Sequence, residues 1–95
     1  MAESFFVSYD LHAPGKNYEK VVDAIKQQSD GRWARVNLSY WFIKSEKTSS
    51  NIASAIRAVM DENDSLIVLN ADKSEAVWYK LDPEVSTYLK ENWNK

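Results

Sequence analysis

A carboxylate and an imidazole stand two residues apart in this sequence, at Asp10 and His12. Aspartate supplies the hard oxygen ligands that Mg²⁺ or Mn²⁺ prefers, and histidine can act as a general acid, a general base or a ligand near neutral pH. Both are therefore candidate catalytic residues, with Asp10 as the metal ligand. The structural alternative is that Asp10 ends a strand by accepting backbone N–H bonds in an Asx turn, and that His12 lies in a solvated loop.

Basic residues surround one tryptophan in the following segment. Trp33 offers a ring on which a base could stack, and the neighbouring cations could contact phosphates. The candidates for a nucleic-acid-binding surface are Lys16, Lys20, Arg32, Trp33 and Arg35. In the alternative interpretation the charges solvate an ordinary surface and the tryptophan belongs to the core.

Aromatic residues are densest at Tyr40, Trp41 and Phe42, and Phe6 lies in an earlier strand-like run. Such a cluster can stack on bases, as aromatic side chains on some RNA-binding sheets do. It can also pack in the core or in a dimer interface, which is the interpretation we favour for these four residues.

Several other chemistries find no support in the sequence. Ser8 and Ser39 could complete a hydrolytic triad with the Asp10–His12 pair, but no nucleophile-elbow sequence is present. The chain has 2 Gly and 0 Cys. No phosphate-cradling glycine loop can therefore form, and disulfides, thiolate metal sites and cysteine nucleophiles are excluded. The lack of cysteine fits a reducing compartment, and we expect a cytoplasmic protein.

Composition indicates one small globular domain. The sequence has 95 residues, of which 44% are hydrophobic and 13% aromatic, enough to build a core. With 12 basic and 14 acidic residues, the net charge of -2 gives no overall attraction to phosphate backbones, so nucleic-acid binding would need a local patch. No apolar run is long enough to cross a bilayer, and we expect no membrane association.

The first half of the chain predicts a strand, a helix and two strands. Apolar residues predict a strand over Ser4–Tyr9, and a Pro14-Gly15 turn follows. Helical spacing of apolar residues from an Asn17 N-cap predicts a helix that stops at Gly31. The strand-rich stretch 33–45 divides into Trp33–Asn37 and Tyr40–Ser45, with a turn at Leu38-Ser39.

The second half predicts a helix, a strand and a C-terminal extension. Thr48, Ser49 and Ser50 offer N-caps to a helix with an apolar face from Ile52 to Met60. Ser65–Ala71 is an apolar run of strand length, and Trp78–Leu81 could add a short edge strand. Asp82-Pro83 is a cap followed by proline at the first helical position. A short final helix then carries Val85, Tyr88, Leu89 and Trp93 on one face.

The order βαββαβ predicts an α+β, ferredoxin-like domain with a four-stranded antiparallel sheet and two helices on one face. We expect a single domain over 1–95, with a main core over 4–71 and an extension over 72–95. The first and third strands should be central. Phe5 and Phe6 point to opposite faces of the first strand, and Trp41 and Phe42 to opposite faces of the third, so both faces of the sheet carry large apolar groups. A second apolar face on a small domain predicts a two-fold homodimer.

The sequence resembles the SinR-like family of small bacterial proteins, and the resemblance covers most of the chain. More distantly, it is similar to the CRISPR-associated Cas-two family and to virulence-associated protein D, which share a dimeric ferredoxin-like fold. The matching segments are Phe5-Phe6-Val7-Ser8-Tyr9-Asp10-Leu11, Pro14-Gly15, Asn17-Tyr18, Trp33, Ser39-Tyr40-Trp41, Asn63-Asp64-Ser65-Leu66 and Trp78-Tyr79-Lys80-Leu81.

The resemblance implies a site at the end of the first strand. In those relatives a strand ending in Tyr-Asp places an aspartate near the dimer axis, where it is assigned to metal-dependent cleavage of nucleic acid. Asp10 is the matching position, and two copies facing across the axis could share one cation. Arg35 and Ser39 match an arginine and a serine that flank the hairpin in the Cas-two family.

Two functional hypotheses follow. The first is a homodimeric nucleic-acid-associated protein, with metal-dependent endonuclease activity if it is an enzyme. The second is a non-enzymatic interaction or regulatory module that binds a protein partner through a sheet edge or an aromatic patch. The relatives suggest a toxin-antitoxin, phage-defence or mobile-element setting for the second.

Overall fold

The computed structural model describes residues 2–12 and 18–92. Lys16, the Pro14-Gly15 turn, the Asn17 cap and Trp93 lie outside the described residues. Five strands and three helices follow one another in the order β1 Glu3–Asp10, α1 Tyr18–Gln28, β2 Trp33–Asn37, β3 Tyr40–Ser45, α2 Ser49–Arg57, β4 Ser65–Asn70, β5 Glu75–Tyr79 and α3 Pro83–Asn92.

The five strands form one antiparallel sheet in the order β2-β3-β1-β4-β5. The predicted α+β class is confirmed, and so are the internal positions of the first and third strands. Within the described residues the sheet has a fifth strand and there is a third helix, which correspond to the predicted short edge strand and final helix beside the four-stranded core. β5 begins at Glu75, earlier than the predicted Trp78. The reason is that Glu75–Tyr79 pairs residue by residue with β4, from Asn70 to Leu66.

One face of the sheet is buried under α1 and α2. Alternate residues of each inner strand point to this face, as the pleat requires, and the helices supply apolar residues at helical spacing. The resulting single core contains Phe5, Val7, Tyr9, Leu11, Val21, Ala24, Ile25, Trp41, Ile43, Ile52, Ala53, Ile56, Met60, Leu66 and Val68. Trp41 is its largest fully buried side chain, so the core interpretation is confirmed for this member of the aromatic cluster.

The opposite, open face carries the intervening residues, and these are only half-buried. Phe6 lies at its centre, paired with Phe42 on β3 and with Leu69 on β4. Its ring stacks on Tyr40, with 5.4 Å between centroids, and meets Phe42 edge-on at the same distance. The open face therefore presents a contiguous aromatic cluster on the two central strands.

The third helix, α3, follows β5 closely and buries none of its residues Pro83–Asn92. It begins as predicted at Pro83, where the carboxylate of Asp82 accepts a hydrogen bond from the backbone N–H of Glu84 at 3.0 Å. The indole Nε1 of Trp78 donates to the hydroxyl of Ser86 at 3.0 Å and ties the helix to β5. Val85 and Tyr88 remain 48% and 66% exposed.

Candidate functional site

Asp10 is the last residue of β1, and its carboxylate faces solvent. The strand alternation places its side chain on the open face with Phe6 and Ser8. The side chain is 76% exposed, and its Oδ2 lies 4.0 Å from Nε2 of His12, whose side chain is 58% exposed. That separation is too long for a hydrogen bond. The two predicted catalytic groups are thus neighbours that remain free to bind other groups.

The backbone that carries His12 is anchored by a residue that the chemical analysis of the sequence missed. Asp64 is 1% exposed. Its Oδ1 accepts a hydrogen bond from the backbone N–H of His12 at 2.8 Å, and its Oδ2 accepts one from the backbone N–H of Asp61 at 2.9 Å. Asp64 therefore holds the end of β1 beside the start of β4. Both of its oxygens already accept hydrogen bonds from the backbone.

The turn between β2 and β3 meets the same end of the sheet. The backbone N–H of Tyr9 donates to the carbonyl of Ser39 at 3.1 Å, and the Tyr9 hydroxyl donates to the carbonyl of Leu38 at 3.0 Å. Arg35 donates to the same Leu38 carbonyl from Nε at 3.3 Å and from Nη2 at 2.8 Å. Ser39 and Arg35 are consequently brought to the end of β1 that carries Asp10.

Trp33 lies at the outer edge of the sheet and is 42% exposed. The Nζ of Lys26 sits 4.6 Å from the centroid of its ring, and its centroid is 5.4 Å from that of Trp41. The guanidinium carbon of Arg35 in turn lies 5.2 Å from the Trp41 ring. Cations and indoles thus share this edge, and Lys26 joins the predicted cations through a helix–strand contact that spacing alone did not reveal.

Arg32 is already paired within the chain. It forms a two-point ion pair with Asp30, with Nε–Oδ1 and Nη2–Oδ2 distances of 3.2 and 2.6 Å. Hydrogen bonding to Arg32 lowers the pKa of the Asp30 carboxyl, and the same pair raises the pKa of Arg32. The arginine side chain is nevertheless 64% exposed, which leaves part of its guanidinium surface open to an anion.

The predicted site residues fall into two groups along the sheet. Asp10, His12, Arg35 and Ser39 lie near one end. Trp33 pairs with Ile43 on β3, and Ile43 pairs with Phe5 on β1. Phe5 lies five residues before Asp10 along β1, a distance of about 16 Å at about 3.3 Å per residue. Trp33 and Arg35 also pair with the core-facing Ile43 and Trp41, so they lie on the helix-covered side of β2, whereas Asp10 lies on the open face. A ligand that contacts both groups would therefore have to run along the sheet and pass around its β2 edge, as an extended polymer can.

The described residues of one chain offer few side chains that could hold a metal ion together. Over residues 2–12 and 18–92, no group of three or more His, Cys, Asp or Glu side chains is placed to hold an ion. Asp10 supplies one exposed carboxylate, which suits Mg²⁺ because that ion keeps several of its waters. A firmly held cation at Asp10 would need further ligands from a second copy or from a phosphate.

Scans against protein-family models, curated proteins and solved structures find no match to this chain. Within the described ranges, no helix combines the length and apolarity required to span a membrane. The assignment of a function consequently depends on the geometry of the residues themselves.

Proposed function

We propose that this chain is a homodimeric nucleic-acid-associated protein that cleaves phosphodiester bonds with Mg²⁺ or Mn²⁺ held between the Asp10 residues of two copies. One observation carries the proposal: the exposed Asp10 carboxylate lies on the same open face as the half-buried aromatic cluster of Phe6, Tyr40 and Phe42. An interface that covers this cluster would bury apolar surface and bring two carboxylates together.

The symmetry of such a dimer follows from the position of Asp10. Two sheets packed face to face are related by a two-fold axis in the plane between them. An axis parallel to β1 keeps corresponding strand ends together, so Asp10 of one copy lies opposite Asp10 of the other. β1 is the middle strand of five, and the axis therefore passes near the centre of the open face.

The residues around Asp10 have separate roles in this proposal. The bound cation would activate a water molecule and neutralise charge on the phosphate. His12 exchanges a proton with the leaving oxygen or the attacking water. Ser39, at the same end of the sheet, positions the phosphate backbone. Arg35 lies at that end on the helix-covered side of β2 and contacts the phosphate backbone where it passes around the β2 edge. Arg32, Trp33 and Lys26 contact the nucleic acid farther along the edge.

The decisive experiment combines cleavage with an independent measure of assembly. Purified protein is incubated with labelled single- and double-stranded RNA and DNA, with Mg²⁺, with Mn²⁺ and with chelator. We expect cleavage that needs the metal and is lost in Asp10→Ala. Asp23→Ala, which removes an exposed carboxylate on α1, is the matched control and should cleave normally.

Sedimentation velocity on the same samples separates loss of chemistry from loss of the dimer. An Asp10→Ala protein that remains dimeric and inactive supports the role of the carboxylate. A wild-type protein that is dimeric, binds no nucleic acid and cleaves none contradicts the proposal.

The second candidate is a non-enzymatic interaction module for a protein partner. The Asp64 carboxylate already accepts hydrogen bonds from two backbone N–H groups, so it is not available as a second metal ligand beside Asp10. A function that needs no metal is favoured by this arrangement. Capture from native extract tests this candidate, with wild-type protein compared with Phe42→Asp, which changes the open face but keeps Asp10. A specific protein that binds the wild type and not the variant would support the candidate.

We also propose a ferredoxin-like core and a cytoplasmic location. The order β2-β3-β1-β4 over the first four strands supports the core, with β5 added outside β4. The resemblance to the SinR-like and Cas-two families supports the same assignment. The absence of cysteine from the sequence suits a reducing compartment.

A further inference from the structure

Positive charge is distributed differently over the two edges of the sheet. At the β2 edge each arginine has an acidic neighbour: Arg32 pairs with Asp30, and Arg35 lines a groove with Glu19 and Asp23 of α1. At the β5 edge, the groove between β5 and α3 contains two lysines and, among the described residues that line it, no acidic side chain. A positively charged patch therefore exists on a chain whose net charge is -2.

The groove between β5 and α3 combines these cations with an aromatic surface. Its volume is about 440 Å³, which falls in the range of ligand-binding clefts. Its lining includes Trp78 and Lys80 from the end of the strand and Ser86 and Lys90 from the helix. An apolar ring between basic groups is the composition of sites that bind planar, negatively charged molecules.

The Trp78 ring is already held in place by the chain. Its Nε1 donates a hydrogen bond to the hydroxyl of Ser86 at 3.0 Å, so the single polar atom of the indole is satisfied. The side chain is half-buried, and it offers the groove apolar ring surface. Such a surface suits the stacking of a base, and a ring that is fixed in advance loses little conformational entropy when a ligand binds.

The two lysines lie on opposite sides of the Trp78–Ser86 hydrogen bond along the groove. Lys80 follows Trp78 by two residues, within the connection that leads to α3, whereas Lys90 follows Ser86 by four residues, one helical turn farther along α3. Neither ammonium group takes part in an ion pair among the described residues. Both are therefore placed to contact phosphates on either side of a base that stacks on Trp78.

We propose that the β5–α3 groove binds a single-stranded segment of nucleic acid, with one base stacked on Trp78 and its flanking phosphates held by Lys80 and Lys90. This inference rests on the proposed association with nucleic acid and is independent of the dimer and of cleavage. A single strand is favoured over a duplex because stacking on a side chain requires a base that is free of its pairing partner.

The groove lies near the Asp10 carboxylate. Trp78 pairs with Ile67, and Ile67 pairs with Ser8, which places Trp78 on the open face that also carries Asp10. Two strand spacings of about 4.8 Å separate β5 from β1. A strand that leaves the groove past Lys80 is therefore about 10 Å from Asp10, within reach of the next nucleotides.

Fluorescence anisotropy of labelled oligothymidylate tests the groove, in the presence of chelator so that the proposed cleavage cannot occur. We expect Lys80→Gln and Lys90→Gln each to weaken binding. Each should also lower the slope of log affinity against log salt concentration by about 0.7, since one phosphate contact to a single strand is removed. Lys73→Gln removes a 60% exposed lysine from the turn at the other end of β5. It is the matched control and should change neither quantity.

Stacking on Trp78 is tested separately from charge. Trp78→Leu should weaken the binding of oligothymidylate about tenfold, as the loss of one stacked base allows. Trp78→Phe keeps an aromatic face and should stay within about threefold of wild type. An abasic oligomer with the same phosphates should bind wild-type protein as weakly as oligothymidylate binds Trp78→Leu. Circular dichroism checks the fold of each variant, and the lysine variants test the groove even if Trp78→Leu fails to fold.

The possible results separate the groove from the proposed nuclease. Unchanged affinity and salt slope in both lysine variants would overturn the groove, even if wild-type protein binds and cleaves nucleic acid. Equal binding of the abasic and natural oligomers, or tighter binding of a duplex, would overturn the stacked single strand. Thymidine monophosphate that competes as well as the oligomer would assign the groove to a free nucleotide and overturn the proposal. Binding that depends on both lysines, without cleavage when Mg²⁺ or Mn²⁺ is restored, would support the groove and contradict the nuclease.

Discussion

The Tyr9 hydroxyl and the Arg35 guanidinium donate to the same acceptor, the carbonyl oxygen of Leu38, at 3.0 and 2.8 Å. The first donor comes from the central strand and the second from the edge strand. One carbonyl group therefore fastens the β2–β3 turn to the end of the central strand, which Asp10 terminates.

Removal of the Tyr9 hydroxyl should weaken the attachment of the turn. We expect Tyr9→Phe to lower the free energy of unfolding by about 1 kcal/mol, because a hydrogen bond is lost while the ring remains in the core. Urea denaturation measures the change. Tyr88→Phe, which alters a 66% exposed ring, is the control and should change stability by less than about 0.5 kcal/mol. Equal losses in the two variants would contradict the role of the Leu38 contact.

Asp64 should be much more sensitive to substitution than its surface neighbours. Asp64→Ala leaves the backbone N–H groups of His12 and Asp61 without their acceptor, and we expect a loss of about 2–3 kcal/mol. Asp64→Asn keeps one acceptor oxygen and should lose about half as much. Denaturation gives the free energies, and hydrogen exchange at the His12 amide reports the local release. Unchanged protection of that amide in Asp64→Ala would argue against the anchoring contact.

The Asp30–Arg32 pair predicts a specific pH dependence. Because hydrogen bonding to Arg32 holds the pKa of Asp30 in the folded protein below its ordinary value of 3.8, the pair stabilises the fold at pH above that value. The stabilisation disappears as pH falls through the folded pKa. We expect Arg32→Gln to be less stable than wild type near neutral pH and equally stable in acid. Denaturation across a pH series measures the difference, with Lys20→Gln as the control. If Arg32→Gln remained less stable than wild type at acidic pH, the stabilising role of the Asp30–Arg32 pair would be refuted.

Lys80 adopts a backbone φ of 59°, in the left-handed region where a Cβ is unfavourable. We expect Lys80→Gly to raise the free energy of unfolding by about 0.5–1 kcal/mol, since glycine adopts this conformation without a steric cost. The same substitution at Lys90, inside α3, should instead lower the stability of the helix by about 1 kcal/mol. Thermal unfolding of both variants is the measurement. A loss of stability in Lys80→Gly would show that the strain is absent.

Local patterns predicted the elements well where each segment carried its own signal. The bounds of β2 and β3 and the turn at Leu38-Ser39 came from strand propensity and length. Side-chain chemistry offered Thr48, Ser49 and Ser50 as N-caps of α2. The structure uses Thr48, whose hydroxyl accepts a hydrogen bond from the N–H of Asn51 at 3.1 Å. β5 was harder to place, because Glu75 and Ala76 have weak strand propensity and are held by their register with β4.

The contacts that shape the candidate site could not be predicted in the same way. The Tyr9–Leu38 and His12–Asp64 hydrogen bonds join residues 29 and 52 positions apart. They exist only because the strand order brings those segments to one end of the sheet. Trp33 illustrates the same point, since its exposure depends on β2 being an outermost strand, which the composition of β2 does not reveal.

The middle position of β1 has a consequence for synthesis on the ribosome. β1 precedes both of the strands that flank it, and its pairing with β4, from Phe5 with Asn70, cannot close until β4 has left the exit tunnel. Phe5, Phe6 and Val7 can pair with β3 earlier, but their edge toward β4 stays unpaired until then. Because such distant pairing is slow to form and unpaired apolar strands aggregate, the β4-facing edge of β1 is the part of the nascent sheet most prone to wrong pairing before β4 is available.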